Sequence, residues 1–277
     1  LRWAPTEMHG DDVKLEPAWD GHCHLGPVPG RTPEEKATTL IEYGSRLRVE
    51  RFVLFMGWPF AYDPSPAELR RQNDQVLQAI SHWQDRLFAY CYVNPKQVEA
   101  SRKEILRCVR DGPMVGLKLW VAVRCTDPRV RELVALAAEL QAVVFQHTWL
   151  KSTGNLPGES TPEDLVRLAR EFPRVTFICG HAGGNWKRAL YEIKDQPNIV
   201  VETAGFDPTA GFVERAVALL GANRVIFGSD TGGRSLASQL GKVYGAAVDD
   251  GARRAILRDN LRRLLEPAVQ RKGFHPW

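Results

Sequence analysis

A chain of 277 residues that is 44% hydrophobic and 25% charged has the composition of a globular protein with a large core, which excludes disordered and collagen-like classes. Its 37 basic and 33 acidic residues leave a formal charge of +4 and are interspersed without a basic block, so nucleic acid is not expected as a partner. No stretch of about 18 apolar residues and no charged-then-apolar leader is visible, so the expectation is a cytoplasmic protein with no membrane partner.

In chain order, apolar runs and helical periodicity predict a strand over 18–25, a helix over 32–47, a strand over 51–58 and a helix over 66–83. A strand over 87–93, a helix over 97–110, a strand over 115–121 and a helix over 129–140 follow. The second half repeats the alternation: strand 142–147, helix 162–171, strand 175–181, helix 184–194, strand 199–203, helix 209–220, strand 225–230 and helix 251–265. Several helices open on Ser, Thr or Asp followed closely by Pro, a combination that caps free amide groups and presets the first helical turn.

Strands that are near-continuous Val, Ile, Leu and Phe call for a parallel sheet buried on both faces. Eight such units close into a (β/α)8 TIM barrel, the expected α/β fold. An open doubly wound sheet fits less well, because Leu25-Gly26-Pro27 is a poor phosphate cradle. A single domain is expected over 1–277, with 1–16 as an amino-terminal extension and 266–277 as a carboxyl-terminal tail. The five cysteines, Cys23, Cys91, Cys108, Cys125 and Cys179, form no C-x-x-C pair and read as reduced, buried small hydrophobes.

In a barrel, chemistry belongs at the carboxyl ends of the strands. His22 and His24 stand there on strand one, in Asp20-Gly21-His22-Cys23-His24, where strand alternation points both imidazoles to one side. Lys118 lies near the end of strand four, His147 ends strand five, His181 ends strand six and Asp230 ends strand eight. Four of the seven histidines thus share one predicted rim. One metal site explains that clustering together, where a structural reading must explain each residue separately. Asp20 falls on the same parity one step below His22 and is expected to support the ligands rather than bind metal.

These residues resemble the amidohydrolase superfamily: H-x-H on strand one, His on strands five and six, and Asp in a G-S-D segment on strand eight. Phe177-Ile178-Cys179-Gly180-His181-Ala182-Gly183-Gly184 and Val225-Ile226-Phe227-Gly228-Ser229-Asp230 are most similar to its amidohydrolase-2 branch, as is the closing segment from Ile256 to Leu265. The resemblance implies one divalent metal, zinc expected and manganese the other option, held by His22, His24, His147 and Asp230. It further implies that His181 hydrogen-bonds to the metal-bound water or to substrate. Binuclear branches carry a carboxylated strand-four lysine that bridges two metals, with the strand-five and strand-six histidines on the second ion. For Lys118 that arrangement stays open beside two others: a solvated or snorkelling lysine, and the favoured one, an unmodified lysine that binds a substrate carboxylate or tunes the site.

The chemistry of such a set is direct. A divalent ion lowers the pKa of a bound water from about 16 to about 7. Asp230 is then placed to accept the proton and return it to a leaving group. Neutral His181 can donate to an oxygen that gains negative charge. Trp58, Trp120, Trp149 and Trp186 occur at or just past strand ends and, with Phe60 and Tyr62, could wall a pocket for a flat substrate, although loop packing is an equal alternative. Arg234 could clamp a carboxylate, with Arg31 and Lys151 as weaker cations of the same kind. The loop over 149–162 has the Gly and Pro punctuation of a lid.

The leading expectation is therefore a metal-dependent hydrolase that directs a metal-activated water at an ester, lactone or amide-like bond of a small, anionic compound. A nonoxidative decarboxylase or hydratase on the same metal site is the alternative, and a non-catalytic degenerate barrel a third. A homodimer is left open.

Overall fold

The computed structural model describes residues 15–205 and 209–273. Its strands are β1 (Ala18–His24), β2 (Val49–Phe55), β3 (Leu87–Tyr92), β4 (Gly116–Leu119), β5 (Val143–Gln146), β6 (Phe177–Cys179), β7 (Ile199–Glu202) and β8 (Val225–Ile226). They lie parallel in sequence order in one sheet, with helices between them, as a (β/α)8 TIM barrel in a single domain. Alternate side chains divide into two buried layers. Phe55, Tyr90, Phe145, Ile178, Val200 and Ile226 fill the barrel, while Phe52, Leu54, Cys91, Val144, Phe177 and Phe227 face the helices.

The helices are α1 (Pro33–Arg46), α2 (Pro66–His82), α3 (Val98–Ile105), α4 (Pro128–Glu139), α5 (Pro162–Glu171), α6 (Trp186–Ile193), α7 (Phe212–Leu220), α8 (Leu236–Tyr244), α9 (Asp250–Arg254) and α10 (Asn260–Arg271). Thr32, Ser65, Asp127 and Thr161 cap α1, α2, α4 and α5 and each precedes a proline. Ser65 with Glu68 and Thr161 with Asp164 form reciprocal capping boxes. None of the helices among the described residues is long and apolar enough to cross a membrane.

Three departures from the sequence expectation have physical causes. The later strands are shorter than their apolar runs, because the chain leaves the ladder where it delivers functional side chains: His181 (φ 59°) and Asp230 (φ 58°) both turn left-handed just past strand ends. Helix α8 was not anticipated; Gly232, Gly233, Gly241 and Gly245 disguise a helix that buries Leu236, Leu240 and Val243. The segment expected as one helix over 251–265 is α9, a π-helical turn at Ala255–Asp259, and α10, which runs through Pro267 to Arg271 and into the stretch expected as a tail. Of the expected amino-terminal extension, residues 1–14 lie outside the described residues.

Barrel closure positions the site. Between β1 and the segment after β8 run Gly21 N–H to Phe227 O (3.0 Å), Asp230 N–H to His22 O (2.9 Å) and His24 N–H to Thr231 O (2.9 Å). Asp20 fastens the same seam: its Oδ1 accepts from His22 N (3.0 Å) and Ser229 N (2.9 Å), and its Oδ2 accepts from the Ser229 hydroxyl.

Candidate metal centre

Strand β1 does not alternate evenly. Its register on β2 slips by one residue between Asp20, opposite Phe52, and Cys23, opposite Leu54. This bulge puts Asp20 in register with the helix-facing layer, against the expected shared parity with His22, and aims its carboxylate at the seam. His22 and His24 nevertheless both point into the barrel mouth. Burial without full hydrogen-bond compensation pushes the Asp20 carboxyl up to about 6.

The seam brings His22, His24 and Asp230 together. Asp230 Oδ1 lies 3.3 Å from His22 Nε2 and 3.2 Å from His24 Nε2. A tetrahedral ion with bonds near 2.0–2.1 Å separates its ligands by about 3.3 Å, so these spacings match two edges of such a site. His22 Nε2 has no hydrogen-bond partner among the described residues although it is fully buried. A divalent ion therefore fits this donor set, and His22, His24 and Asp230 are the residues that would hold it.

The tautomer of His22 is fixed from behind. Its Nδ1 lies 3.1 Å from Glu202 Oε1 and donates there; burial alone would lower the His22 pKa, but the Glu202 and Asp230 carboxylates raise it, and in the neutral ring this bond leaves the Nε2 lone pair for a metal. Glu202, at the end of β7, also accepts the His181 N–H and the Ala204 N–H (2.5 Å). Sequence reasoning missed this residue. The available signal was a carboxylate closing the otherwise apolar run Ile199-Val200-Val201-Glu202.

His181 and His147 form a second pair, with His181 Nε2 at 3.0 Å from His147 Nδ1. His147 stands one ring away from the His22, His24 and Asp230 cluster, reaching it across His181, whose ring centroid is 4.8 Å from each neighbour. His147 Nε2 contacts Glu159 Oε1 at 2.9 Å, another partner with no sequence signal because it comes from the loop after β5. Burial pushes His24 down to about 4 and pushes His147 and His181 down as well, which keeps these rings neutral and their lone pairs available. Burial would raise Asp230, but His22 and His24 beside it hold it well below the usual carboxylate range.

Lys118 on β4 points into the barrel, fully buried, with Nζ 4.1 Å from the Phe55 ring centre and 3.8 Å from that of Phe145. Its Nζ has no hydrogen-bond partner among the described residues, and burial pushes the ammonium down to about 7. A solvated lysine is therefore ruled out by position.

Around the mouth, Trp149 stacks on His147 (6.0 Å, 23°) and leans on His181 (4.8 Å). Phe60 meets His24 edge-on at 5.3 Å, and Trp120 continues that wall through Phe60, Tyr62 and Tyr92. Trp58 touches Phe60 but is largely exposed. Trp186, at the start of α6, packs on Phe212, at the start of α7 (5.5 Å). Arg234 Nε stands 3.8 Å from Asp230 Oδ2 at the open side. Lys151 is paired with Glu159 rather than free for a substrate.

A single-domain barrel with an H-x-H, histidine and aspartate cluster at its carboxyl mouth defines a class of metal-site barrels. A family model described as Amidohydrolase matches residues 19–266, and the chain belongs to that family. An uncharacterized protein, y4mH, of Sinorhizobium fredii is 26% identical over 102 residues, 30% of this chain; the match spans about a third of that relative's length (34%). Among solved structures, a 2,6-dihydroxybenzoate decarboxylase from Rhizobium superposes with a TM-score of 0.73 at 16% identity, covering 91% of this chain and 99% of that one. A 5-carboxyvanillate decarboxylase from Sphingomonas paucimobilis gives 0.70 at 15%, covering 90% and 99%. A dihydroxybenzoic acid decarboxylase from Polaromonas, with bound manganese and the inhibitor 2-nitroresorcinol, gives 0.70 at 15%, covering 91% and 97%. At these identities the likeness is one of fold.

Proposed function

We propose that this protein is a metal-dependent enzyme that hydrolyses an ester or lactone bond in a small, planar carboxylate. The observation that carries the reading is the placement of the ionised Asp230 carboxylate, 3.2–3.3 Å from both β1 imidazoles and open toward the mouth. His22, His24 and Asp230 would hold zinc or manganese, and His147, the fourth ligand the sequence suggests, would join them only by turning its Nδ1 lone pair from His181 to the ion. A bound divalent ion supplies Lewis acidity, polarising a carbonyl and acidifying water.

Asp230 then accepts the proton of the attacking water and returns it to the leaving oxygen. His181, neutral, directs its Nε2–H at His147 Nδ1; with that lone pair on the ion, the same N–H would be free to steady the oxygen that gains charge at the carbonyl. Arg234 takes the substrate carboxylate at the open side, and Phe60, Trp120 and Trp149 sandwich its flat body, with Trp58 at the outer edge. Lys118, below the floor, tunes the field of the site and is unmodified in this reading.

Nonoxidative decarboxylation is the second reading. It is favoured by the aromatic wall and by the aromatic-acid decarboxylases that share this fold. There, the ionised Asp230 would take a proton from a substrate hydroxyl or water and pass it to the ring carbon that bears the carboxylate, and carbon dioxide leaves as the C–C electron pair returns to the ring. Protein reloaded with zinc or manganese and given aryl esters, lactones and hydroxybenzoates separates the two. Acid release without carbon dioxide is expected; carbon dioxide alone overturns hydrolysis, and neither product overturns both.

A further inference from the structure

Glu159 reaches into the site from the loop after β5, and its side chain is only 2% exposed. Its Oε1 lies 2.9 Å from His147 Nε2 and 2.9 Å from Lys151 Nζ; its Oε2 lies 2.8 Å from Lys151 Nζ and accepts the Leu156 N–H at 3.1 Å. An ionised carboxylate can only accept, so a neutral His147 must present a protonated Nε2 to it and keep a lone pair at Nδ1. That lone pair faces His181 Nε2 at 3.0 Å, which must then carry the proton of its own ring. The remaining lone pair, at His181 Nδ1, has no partner among the described residues and lies against Gly205, where a Cβ would stand 2.0 Å away. One loop carboxylate thus orders the protons of two imidazoles.

We propose that Glu159 is a positioning residue: from the loop after β5 it locks His147 in the Nε2-protonated form, so that a lone pair rather than a proton points inward. The consequence for metal affinity rests on the metal-site reading above; the proton position does not. The same carboxylate also anchors the loop through Lys151 and Leu156, so loop and imidazole pair are ordered together.

Glu159→Gln is the informative variant. The Oε2 position faces two obligate donors, Lys151 Nζ and Leu156 N–H, against one, Lys151 Nζ, at Oε1, so the amide oxygen is expected at Oε2 and the NH2 group toward His147. His147 Nε2 then has to accept, and its proton moves to Nδ1. Long-range nitrogen-15 correlation spectra of the full, metal-free protein at neutral pH read the protonated ring nitrogen, and chelator competition reads zinc affinity.

The expected result is Nε2–H in the wild type and in Lys151→Met, Nδ1–H in Glu159→Gln, and zinc binding weakened about 10- to 100-fold by Glu159→Gln but not by Lys151→Met. An unchanged His147 form in Glu159→Gln, or an equal loss of affinity in Lys151→Met, overturns the proposal. Should Glu159→Gln fail to fold, the wild-type spectrum still decides, since a proton on His147 Nδ1 overturns it. A wild type that shows Nε2–H but takes up neither zinc nor manganese overturns the metal reading and leaves the proton position standing.

Discussion

Single residues divide here into those whose chemistry is visible in the sequence and those whose partners are not. The placement of His22, His24, His181 and Asp230 at the barrel mouth was legible because each stands at or just past the end of an apolar run, and parity or a G-S-D turn gives its direction. Glu202 and Glu159 were not, because their roles depend on which imidazole lies opposite, a matter of tertiary geometry. Glu202→Gln is expected to weaken zinc binding about 10- to 100-fold by releasing the His22 ring, while leaving the fold intact; equal affinity in a chelator competition would contradict that. Gly205→Ala places a Cβ 2.0 Å from His181 Nδ1 at a backbone φ of +96°. A loss of roughly 2 kcal/mol is expected in urea unfolding, together with a displaced His181 and reduced turnover. Glu159 also gives a pH signature. Burial would raise its carboxyl, but His147, Lys151 and the Leu156 N–H hold it at about 2, below the unfolded value of about 4.3. Its stabilisation is therefore complete above about pH 4.3 and fades as pH falls toward 2. Metal-free wild type should lose more stability between about pH 6 and pH 3 than Glu159→Gln, and parallel curves would contradict the pairing.

Elements were legible in proportion to how far local rules govern them. Caps followed by proline are local chemistry, and α1, α2, α4 and α5 begin within a residue of where those pairs place them. Strand ends at the mouth are not local, since the residues past β6 and β8 follow the needs of the site rather than the ladder. The junction of α9 and α10 shows a third case: a π-helical turn brings Asn260 under the barrel, where its Nδ2 donates to Ala222 O (2.7 Å) and Val225 O (2.8 Å). No periodicity announces that contact. Asn260→Ala removes both donations, leaving Ala222 O with the Val225 N–H, and is expected to cost about 1–3 kcal/mol in urea unfolding without changing zinc affinity. A change in affinity would mean that this junction, and not only the β1–β8 seam, sets the ligand geometry.

For the whole molecule, eight β/α units read from apolar runs correspond to the eight-stranded barrel, because a sheet buried on both faces demands continuous hydrophobic strands. Its seam was invisible to that reasoning. Metal should stabilise the closed barrel by mass action, by about 2.7 kcal/mol at a free concentration 100 times the dissociation constant. Zinc added to chelator-treated protein is therefore expected to raise Tm by several degrees in the wild type and not in a His22→Ala, His24→Ala double variant. An equal rise in both would put the stabilising ion elsewhere.

The staple formed by Asp20 joins groups 209 residues apart, so it also sets an order of events. During synthesis the first two imidazoles emerge early, but the aspartate that completes their donor set arrives only with the eighth unit. Long-range pairings of this kind form late in folding. On the metal-site reading, ion capture is accordingly expected as a terminal step, a certificate of a finished barrel rather than a nucleus for one. A chain halted after β7 should leave zinc free however long it is incubated, and the earliest metal-binding species on a refolding time course should already carry the native β1–β8 seam.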